Sequence, residues 1–266
     1  MSIRLCLAGA TGWGGSALAR AVAKSDDITL TSGVSRTQAG HNLGDVLAEP
    51  LINCPVYATA QEALAHACDV FFEFTKPDVA KSNVLAALEK GAHVVIGTSG
   101  LTETDYSEIS KVAEERRRGV LAVGNFALTV VLLEKFSEIA ARYIPHWEII
   151  DYAAAGKIDA PSGTARELAN RLSKIRESQL DVPLEAVDGP RESRGVRLDG
   201  SQIHSVRLPG YVISLDAIFG MPDEKLILRH ESGSGATPYV NGALLAIRKV
   251  GSLVGLKRGL DSVMDF

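Results

Sequence analysis

A lysine and a turn typical of a helix start stand together in residues 151–165, which read DYAAAGKIDAPSGTA. The ammonium of Lys157 and the backbone N–H groups of Ser162, Gly163 and Thr164 could together bind a carboxylate, because free N–H groups at a helix start attract anions. The residues just before the lysine are alanines, which neither transfer a proton nor bind an anion. The stretch therefore predicts an anion-binding loop, with Lys157 as its candidate catalytic acid.

Two residues just before the alanines are alternative proton donors, but only if they face the bound anion. Strand alternation places Tyr152 and Ala154 on one face and Asp151 and Ala153 on the other. We expect Tyr152 to be a packing residue.

A glycine-rich turn follows the first strand-like segment of the chain. Gly9, Gly12 and Gly15 have the spacing of dinucleotide-binding loops, in which the chain turns sharply and a pyrophosphate meets the N–H groups of a helix start. An ordinary glycine turn between a strand and a helix is the alternative. Because the turn lies between a strand-like and a helix-like segment, we expect it to bind a nucleotide.

The end of the second predicted strand indicates which nicotinamide cofactor is used. In such folds a carboxylate at this point binds the ribose 2′-hydroxyl of NADH, whereas an arginine accommodates the 2′-phosphate of NADPH. Here the residues are Ser35, Arg36 and Thr37, with no acidic residue beside them. A guanidinium and two hydroxyls favour a phosphate. We therefore predict NADPH, with NADH as an alternative and a solvated surface arginine as the simpler explanation.

Three more predicted strands end in polar, turn-forming residues: FTKPD at 74–78, IGTSG at 96–100 and GNF at 124–126. Ligands of open α/β sheets bind at the carboxyl ends of the strands. Any one of these segments could be a plain turn, but three at consecutive strand ends predict a cleft lined for a nicotinamide. We include Phe74, Thr75 and Ser35 among the expected cofactor contacts.

Short apolar segments alternate with amphipathic ones through the first half of the chain. Strands are predicted at 3–9, 28–34, 69–74, 93–97 and 120–124, and helices at 15–25, 78–91 and 104–119. This alternation predicts an α/β fold with a Rossmann-type, doubly wound parallel sheet.

After residue 145 strand-like segments dominate. Strands are predicted at 146–156, 203–208, 211–220 and 224–231, and helices at 164–178 and 239–255, with a polar loop at 179–200. A strand-rich block of this kind suggests a second, α+β domain. The final helix could pack back on the first domain. We predict a dinucleotide-binding domain of residues 1–126 and 237–266 and a substrate domain of residues 127–236.

Composition and charge narrow the classes of partner. The 266 residues are 46% hydrophobic and 23% charged, which is ordinary for a globular protein. A formal charge of −4 gives no electrostatic reason to expect nucleic acid or an anionic membrane. Three widely spaced cysteines suit a reducing compartment. Since the sequence shows no secretory signal, membrane-length apolar run or metal-ligand spacing, we expect a cytoplasmic protein without a metal.

Taken together, these motifs resemble those of the dihydrodipicolinate reductase family over nearly the whole chain. The shared motifs are the G-A-x-G-x-x-G loop, FEFTKP, VIGTSG, GNF, EII and, most specifically, KIDAPSGTA at 157–165. Members of this family reduce a cyclic, dicarboxylated imine or its hydroxylated precursor with NAD(P)H, in lysine and diaminopimelate biosynthesis. The resemblance implies a Rossmann-type domain, a second domain with a mixed sheet that binds substrate and oligomerises, and a homotetramer.

The resemblance also implies which residues contact the ligands. Cofactor contacts are expected at the glycine loop and at three strand ends: Gly9, Ala10, Thr11, Gly12, Trp13, Gly14, Arg36, Gly97, Thr98, Ser99, Val123, Gly124, Asn125 and Phe126. Substrate contacts are expected from Lys157, Gly163 and Thr164, to which the anion-binding turn adds Ser162.

The chain departs from the family pattern where the substrate should bind. In the family, two histidines four and three positions before the lysine supply the proton and help to hold a carboxylate, and here those positions are Ala153 and Ala154. The segment at 230–235 lacks an arginine that many members carry. Other departures are Trp13 and Gly14 for an Arg-Met pair, and Ala127, Thr129 and Val131 for Ser, Gly and Asn.

These departures leave three hypotheses about function. The first is an NAD(P)H-dependent reductase of a C=N bond with a changed proton donor, whose substrate is either the family's dicarboxylate or a less charged cyclic imine. The second is a non-catalytic NADP-binding sensor or scaffold. The third, an aldehyde or ketone reductase, would rely on Tyr152 with Lys157.

Overall fold

A computed structural model describes residues 2–266, and the chain in it divides into two units. The first unit contains the residues up to Leu128 together with Ala236–Phe266, and the second is Thr129–Gly235. Within the described residues, no helix is both long enough and apolar enough to cross a membrane.

The first unit is built on a seven-stranded, entirely parallel sheet. Numbered along the chain, its strands are β1 (Ile3–Ala8), β2 (Ile28–Val34), β3 (Val56–Tyr57), β4 (Val70–Glu73), β5 (His93–Ile96), β6 (Gly119–Ala122) and β12 (Gly255–Arg258). They lie in the order β12-β6-β5-β4-β1-β2-β3. The order reverses at β1, which is the place where nucleotides bind in doubly wound sheets.

Helices of the first unit bury the strands. They are α1 (Trp13–Val22), α2 (Leu43–Leu47), α3 (Ala60–Ala63), α4 (Pro77–Glu89), α5 (Glu103–Glu115) and α8 (Thr237–Lys249). All four residues of β4 are buried, and Phe71, Leu88 and Ile109 share one core cluster. Strands covered on both faces become continuous apolar runs, which explains why they were visible in the sequence. Arg248 of α8 pairs with Asp27 at 2.7 Å.

The second unit contains a five-stranded mixed sheet. Its strands are β7 (His146–Ala153), β8 (Val196–Leu198), β9 (Ser201–Arg207), β10 (Ile213–Met221) and β11 (Glu224–Ser232), in the order β11-β10-β7-β9-β8. Only β7 and β9 pair in parallel. Its helices are α6 (Leu128–Tyr143) and α7 (Gly163–Ser173), and two 3-10 turns, Leu184–Ala186 and Arg191–Arg194, lie in the loop before β8.

The two faces of the second sheet differ in burial. Along β7, residues alternate between half-buried and buried, as a strand with one covered face requires. Leu133 of α6, Leu168 of α7 and Ile149 of β7 belong to one core cluster, so the helices cover this face. We call it the inner face, and it includes Asp151 and Ala153. The outer face carries the alternate residues of β7.

The structure confirms the predicted fold class and corrects several element boundaries. The predicted strand 146–156 ends at Ala153, and the predicted helix 239–255 ends at Lys249. The segment after that helix becomes β12, because it pairs in parallel with β6. Helix α6 and the short strands β3, β8 and β12 were not predicted.

Candidate active site

The glycine loop between β1 and α1 has a shape that side chains would prevent. Gly9 has a φ of +77°, and a Cβ there would stand 2.3 Å from the carbonyl oxygen of Phe74. A Cβ on Gly15 would stand 2.1 Å from the carbonyl oxygen of Gly9. Gly12 caps α1 without a side-chain bond, and the first turn of α1 has no acidic residue. The start of α1 is therefore open to an anion, and the residues fit a pyrophosphate.

Hydroxyl groups gather beside this loop at the end of β2. The hydroxyls of Thr11 and Ser35 are hydrogen-bonded at 2.8 Å, and Ser35 lies 3.4 Å from the hydroxyl of Thr37. Arg36 is exposed and forms no ion pair with any described residue. The structure thus brings together three hydroxyls and a free guanidinium, a group of donors that fits a 2′-phosphate.

Aromatic rings and glycines meet where β4, β5 and β6 end. A Cβ on Gly97 would stand 2.2 Å from Cε1 of Phe74, and one on Gly14 would stand 3.1 Å from the same ring. Phe126 meets Phe74 edge to face, with ring centroids 5.7 Å apart. Phe74 therefore packs against the glycine loop and against two other predicted cofactor segments.

Other predicted cofactor residues lie at the same edge of the sheet with less specific contacts. Trp13 is 62% exposed and meets Tyr239 edge to face, with centroids 5.6 Å apart. The side-chain oxygen of Asn125 accepts the Ala127 N–H at 2.9 Å. Among the remainder, Ala10, Thr98 and Val123 are buried, Thr75 is half-buried, and Ser99 and Gly124 are exposed.

The Lys157 loop lies in the second unit, between β7 and α7. The Lys157 ammonium pairs with the Asp159 carboxylate at 2.6 Å, and this hydrogen bond lowers the pKa of Asp159. Ser162 caps α7, and its hydroxyl accepts the Ala165 N–H at 3.3 Å. The first turn of α7, which starts at Gly163 and Thr164, has no acidic residue. The loop thus contains a lysine and a helix start at which the Gly163 and Thr164 N–H groups are not capped by a side chain.

A buried ion pair, which the sequence did not reveal, holds this loop. Nη2 of Arg207 donates to Oδ2 of Asp151 at 2.7 Å and to the carbonyl oxygen of Asp159 at 2.6 Å. The same Asp151 oxygen accepts the Ser162 N–H at 2.8 Å. Asp151 is 1% exposed, and strand alternation already placed it on the face of Ala153. A buried carboxylate requires a cation or several donors, which is the signal that could have led to Arg207.

Ala153 and Ala154, at which the resemblance implied a pair of histidines, differ in their exposure to solvent. Ala153 is buried on the inner face at the end of β7, whereas Ala154 is exposed just beyond it. Tyr152 points to the outer face, where it stacks on Tyr211 with centroids 5.0 Å apart and donates to Asp216 at 3.3 Å. Burial raises the pKa of Tyr152. Its contacts are those of a packing residue, as expected.

Three of the six histidines have structural partners. His93 accepts the Gly119 N–H at 2.9 Å, His230 is hydrogen-bonded to the Thr129 hydroxyl at 2.9 Å, and His204 pairs with Glu148 at 2.6 Å. In the described part of the chain, no group of three His, Cys, Asp or Glu residues could hold a metal ion.

Comparisons with known proteins agree on one family. A family model described as dihydrodipicolinate reductase, N-terminus, matches residues 3–126, and one described as dihydrodipicolinate reductase, C-terminus, matches residues 129–265. Two curated relatives are 4-hydroxy-tetrahydrodipicolinate reductases, one from a strain of Bacillus cereus and one from a strain of Bacillus thuringiensis. Each is 33% identical over 264 residues, which cover 99% of this chain and 99% of the relative.

Solved structures extend this similarity. A dipicolinate-bound dihydrodipicolinate reductase from Paenisporosarcina sp. TG-14 matches with a TM-score of 0.88 at 29% identity, covering 99% of this chain and 100% of that chain. An amine dehydrogenase from Mycobacterium smegmatis matches with a TM-score of 0.67 at 13% identity, covering 100% of this chain and 97% of that one. The second match concerns the fold alone.

Proposed function

Because the chain belongs to the dihydrodipicolinate reductase family of NAD(P)H-dependent oxidoreductases, we propose that it reduces the C=N bond of a cyclic imine less charged than a dicarboxylate. The observation that carries this proposal is the Lys157 loop, which keeps its anion-binding parts beside two alanines. Ala153 and Ala154 provide neither a proton nor a charge for a carboxylate. One carboxylate can still bind at the loop, while a second has lost its expected partners.

The charges around the loop support the same conclusion. Lys157 is paired with Asp159, and Arg207 is paired with Asp151. A dicarboxylate is held best by several charge-assisted donors, yet Lys157 and Arg207 each already have a carboxylate partner. We infer that the loop suits a monoanion or a neutral ring.

We propose NADPH as the preferred cofactor, with NADH as an alternative. The start of α1 would hold the pyrophosphate, and Arg36 with Ser35 and Thr37 would hold the 2′-phosphate. The residues proposed to contact the rest of the cofactor are Gly9, Ala10, Thr11, Gly12, Trp13, Gly14, Phe74, Thr75, Gly97, Thr98, Ser99, Val123, Gly124, Asn125 and Phe126. When bound, the reduced nicotinamide supplies a hydride.

Lys157 is the proposed catalytic group, and with Gly163 and Thr164 it is the proposed substrate contact. The predicted contact of Ser162 is withdrawn, because its N–H already donates to Asp151 at 2.8 Å. The Lys157 ammonium carries protons and is held by Asp159 at 2.6 Å, next to the turn that binds the anion. The Tyr152 hydroxyl donates to Asp216 and its ring stacks on Tyr211, which favours Lys157 over Tyr152 for this role. General acid catalysis accelerates a reaction by roughly 10²–10⁴. An iminium that is already protonated needs no such acid, which favours substrates of that kind.

We also propose that the protein is a cytoplasmic homo-oligomer, a tetramer by family membership. Ile218 and Ile227 face each other on the outer face of the second sheet, and Ile227 is 45% exposed. A half-buried sheet face with apolar residues is typical of a subunit contact. The cysteines Cys6, Cys54 and Cys68 are free, in keeping with a reducing compartment.

The test is NADPH oxidation by the purified protein with a panel of cyclic imines of graded charge, including the family's dicarboxylated substrate. We expect turnover of neutral and monocarboxylated imines, and loss of the monocarboxylated activity in the variant Lys157→Met. A preference for the dicarboxylated compound would contradict the substrate proposal. Tight NADPH binding without turnover of any compound would instead favour a sensor.

A further inference from the structure

Glu73 is a buried carboxyl group to which no role has been given so far. It is the last residue of β4, which lies between β1 and β5 in the sheet, and it is 0% exposed. No lysine, arginine or histidine of residues 2–266 forms an ion pair with it. A buried carboxyl group without a cation is costly unless hydrogen bonds compensate for the lost water. Its donors are therefore informative.

Four neutral donors surround this carboxyl group. The Thr75 N–H donates to Oε1 at 2.7 Å, and the Thr75 hydroxyl donates to the same oxygen. The Thr98 hydroxyl also reaches Oε1, at 3.3 Å, and Nδ2 of Asn83 donates to Oε2 at 2.9 Å. Both oxygens act only as acceptors, an arrangement that suits a carboxylate and leaves neither oxygen without a partner.

These donors come from three separate parts of the first unit. Thr75 belongs to the segment after β4, Thr98 to the segment after β5, and Asn83 to α4. Phe74 lies between Glu73 and Thr75, so the carboxylate fixes the backbone on both sides of this ring. The Phe74 ring packs against Gly97, and its carbonyl group packs against Gly9. Glu73 thus ties the glycine loop, through Phe74, to two of the predicted cofactor segments.

We propose that Glu73 is a positioning residue for the cofactor. Its carboxylate holds the segments after β4 and β5, and with them Phe74, in the arrangement that receives the nicotinamide half. The adenosine half relies mainly on Arg36 and its neighbours Ser35 and Thr37 at the end of β2, whose hydroxyls bond to each other and to Thr11 and not to Glu73. This inference rests on the proposed function only in so far as the chain binds NADPH, and it is independent of the imine substrate.

The test compares two ligands in the variant Glu73→Gln by titration calorimetry. NADPH contains both halves, whereas adenosine 2′,5′-bisphosphate contains only the adenosine half. The substitution preserves shape but replaces an acceptor of the Asn83 amide with a donor. We expect NADPH affinity to fall by about tenfold, which is typical for the loss of a hydrogen bond to a charged group. The affinity for adenosine 2′,5′-bisphosphate should stay within twofold, because the end of β2, which would hold its 2′-phosphate, makes no hydrogen bond with Glu73.

Two further variants separate positioning from general loosening. In Glu73→Gln/Asn83→Asp the new amide can donate to the new carboxylate, and most of the NADPH affinity should return. Asn83→Leu keeps Glu73 and both threonines but removes the donor to Oε2, so it should give a smaller loss of the same kind. If the Glu73→Gln protein fails to fold, Asn83→Leu takes its place in the comparison of the two ligands.

The matched control is Asp105→Asn. Asp105 also accepts the N–H and hydroxyl of a threonine, Thr102, at 2.9 Å and 2.7 Å, but neither residue is among the predicted cofactor contacts. The substitution Asp105→Asn should leave the affinity for both ligands unchanged. Equal weakening of both ligands by Glu73→Gln would overturn the proposal, and so would unchanged NADPH affinity.

Discussion

Replacing Arg207 with methionine tests how the second unit holds the substrate loop. The substitution removes the donors to Asp151 and to the Asp159 carbonyl group while keeping much of the side-chain volume. Removing one partner of a buried ion pair costs about 3–5 kcal/mol, because the other charge is left buried and unpaired. Asp151 would still accept the Ser162 N–H at 2.8 Å and the Ser205 hydroxyl at 3.4 Å. We therefore expect the lower end of that range, about 3 kcal/mol.

Urea unfolding followed by tryptophan fluorescence measures this loss of unfolding free energy in the second unit, which contains Arg207. Trp147 is on β7, as Asp151 is, and is only 3% exposed. The other tryptophan, Trp13, lies in the first unit and is replaced by phenylalanine in every variant. The double variant Asp151→Asn/Arg207→Met no longer buries an unpaired charge. Its loss of unfolding free energy should therefore be about 2 kcal/mol smaller than the sum of the two single losses, and this difference is the coupling energy between the two sites.

Two results would refute this description of the loop. One is a loss below about 1 kcal/mol for Arg207→Met, which is the range of an exposed surface pair. The other is additivity of the two substitutions, since independent sites show no coupling. Either result would mean that Arg207 does not compensate the charge of Asp151.

Three other predictions concern the cofactor, the effect of pH and the missing histidines. Arg36→Ala should weaken NADPH binding by about tenfold without changing NADH binding, because only NADPH carries the 2′-phosphate, and calorimetry checks this. Burial lowers the pKa of His93 below its usual 6.5, and its Nδ1 accepts the Gly119 N–H. The folded state therefore resists protonation, so the contribution of His93 to stability is complete above pH 6.5 and declines as the pH falls towards the folded-state pKa. His93→Asn, which can accept the same bond, should flatten the unfolding free energy across that window. Ala154→His should be tolerated at its exposed site, whereas Ala153→His should cost about 1–3 kcal/mol in urea unfolding because that site is packed.

The parts of the fold that could be predicted from the sequence depend on local patterns. The strand predicted at 93–97 is observed at His93–Ile96, where the consecutive apolar residues Val94, Val95 and Ile96 are all buried, since a strand covered on both faces is a continuous apolar run. The turn after β1 was predicted from its glycines, and Gly9 does adopt a positive φ. Helix α6 had a usable signal that was overlooked, because Val130, Leu133, Ser137 and Ala141 recur at helical spacing on its buried side.

The interactions that hold the candidate site depend on contacts between distant residues. Arg207 and Asp151 are 56 residues apart, and they meet because β9 pairs in parallel with β7. Glu73 and Thr98 are 25 residues apart on neighbouring strand ends. Both carboxylates could be recognised in the sequence as charges in apolar strands. Their partners follow only from strand order and register, which no single segment specifies.

The claim that the site no longer favours a dianion is tested most directly by calorimetric titration of the NADPH-bound protein with dipicolinate. Dipicolinate carries two carboxylates on one ring and is bound by the related reductase from Paenisporosarcina sp. TG-14. On the proposal that Lys157 and the start of α7 bind only one of the two groups, we expect a Kd above about 1 mM, which is a binding free energy weaker than about −4 kcal/mol. A Kd near 1 μM, about −8 kcal/mol, would contradict the account.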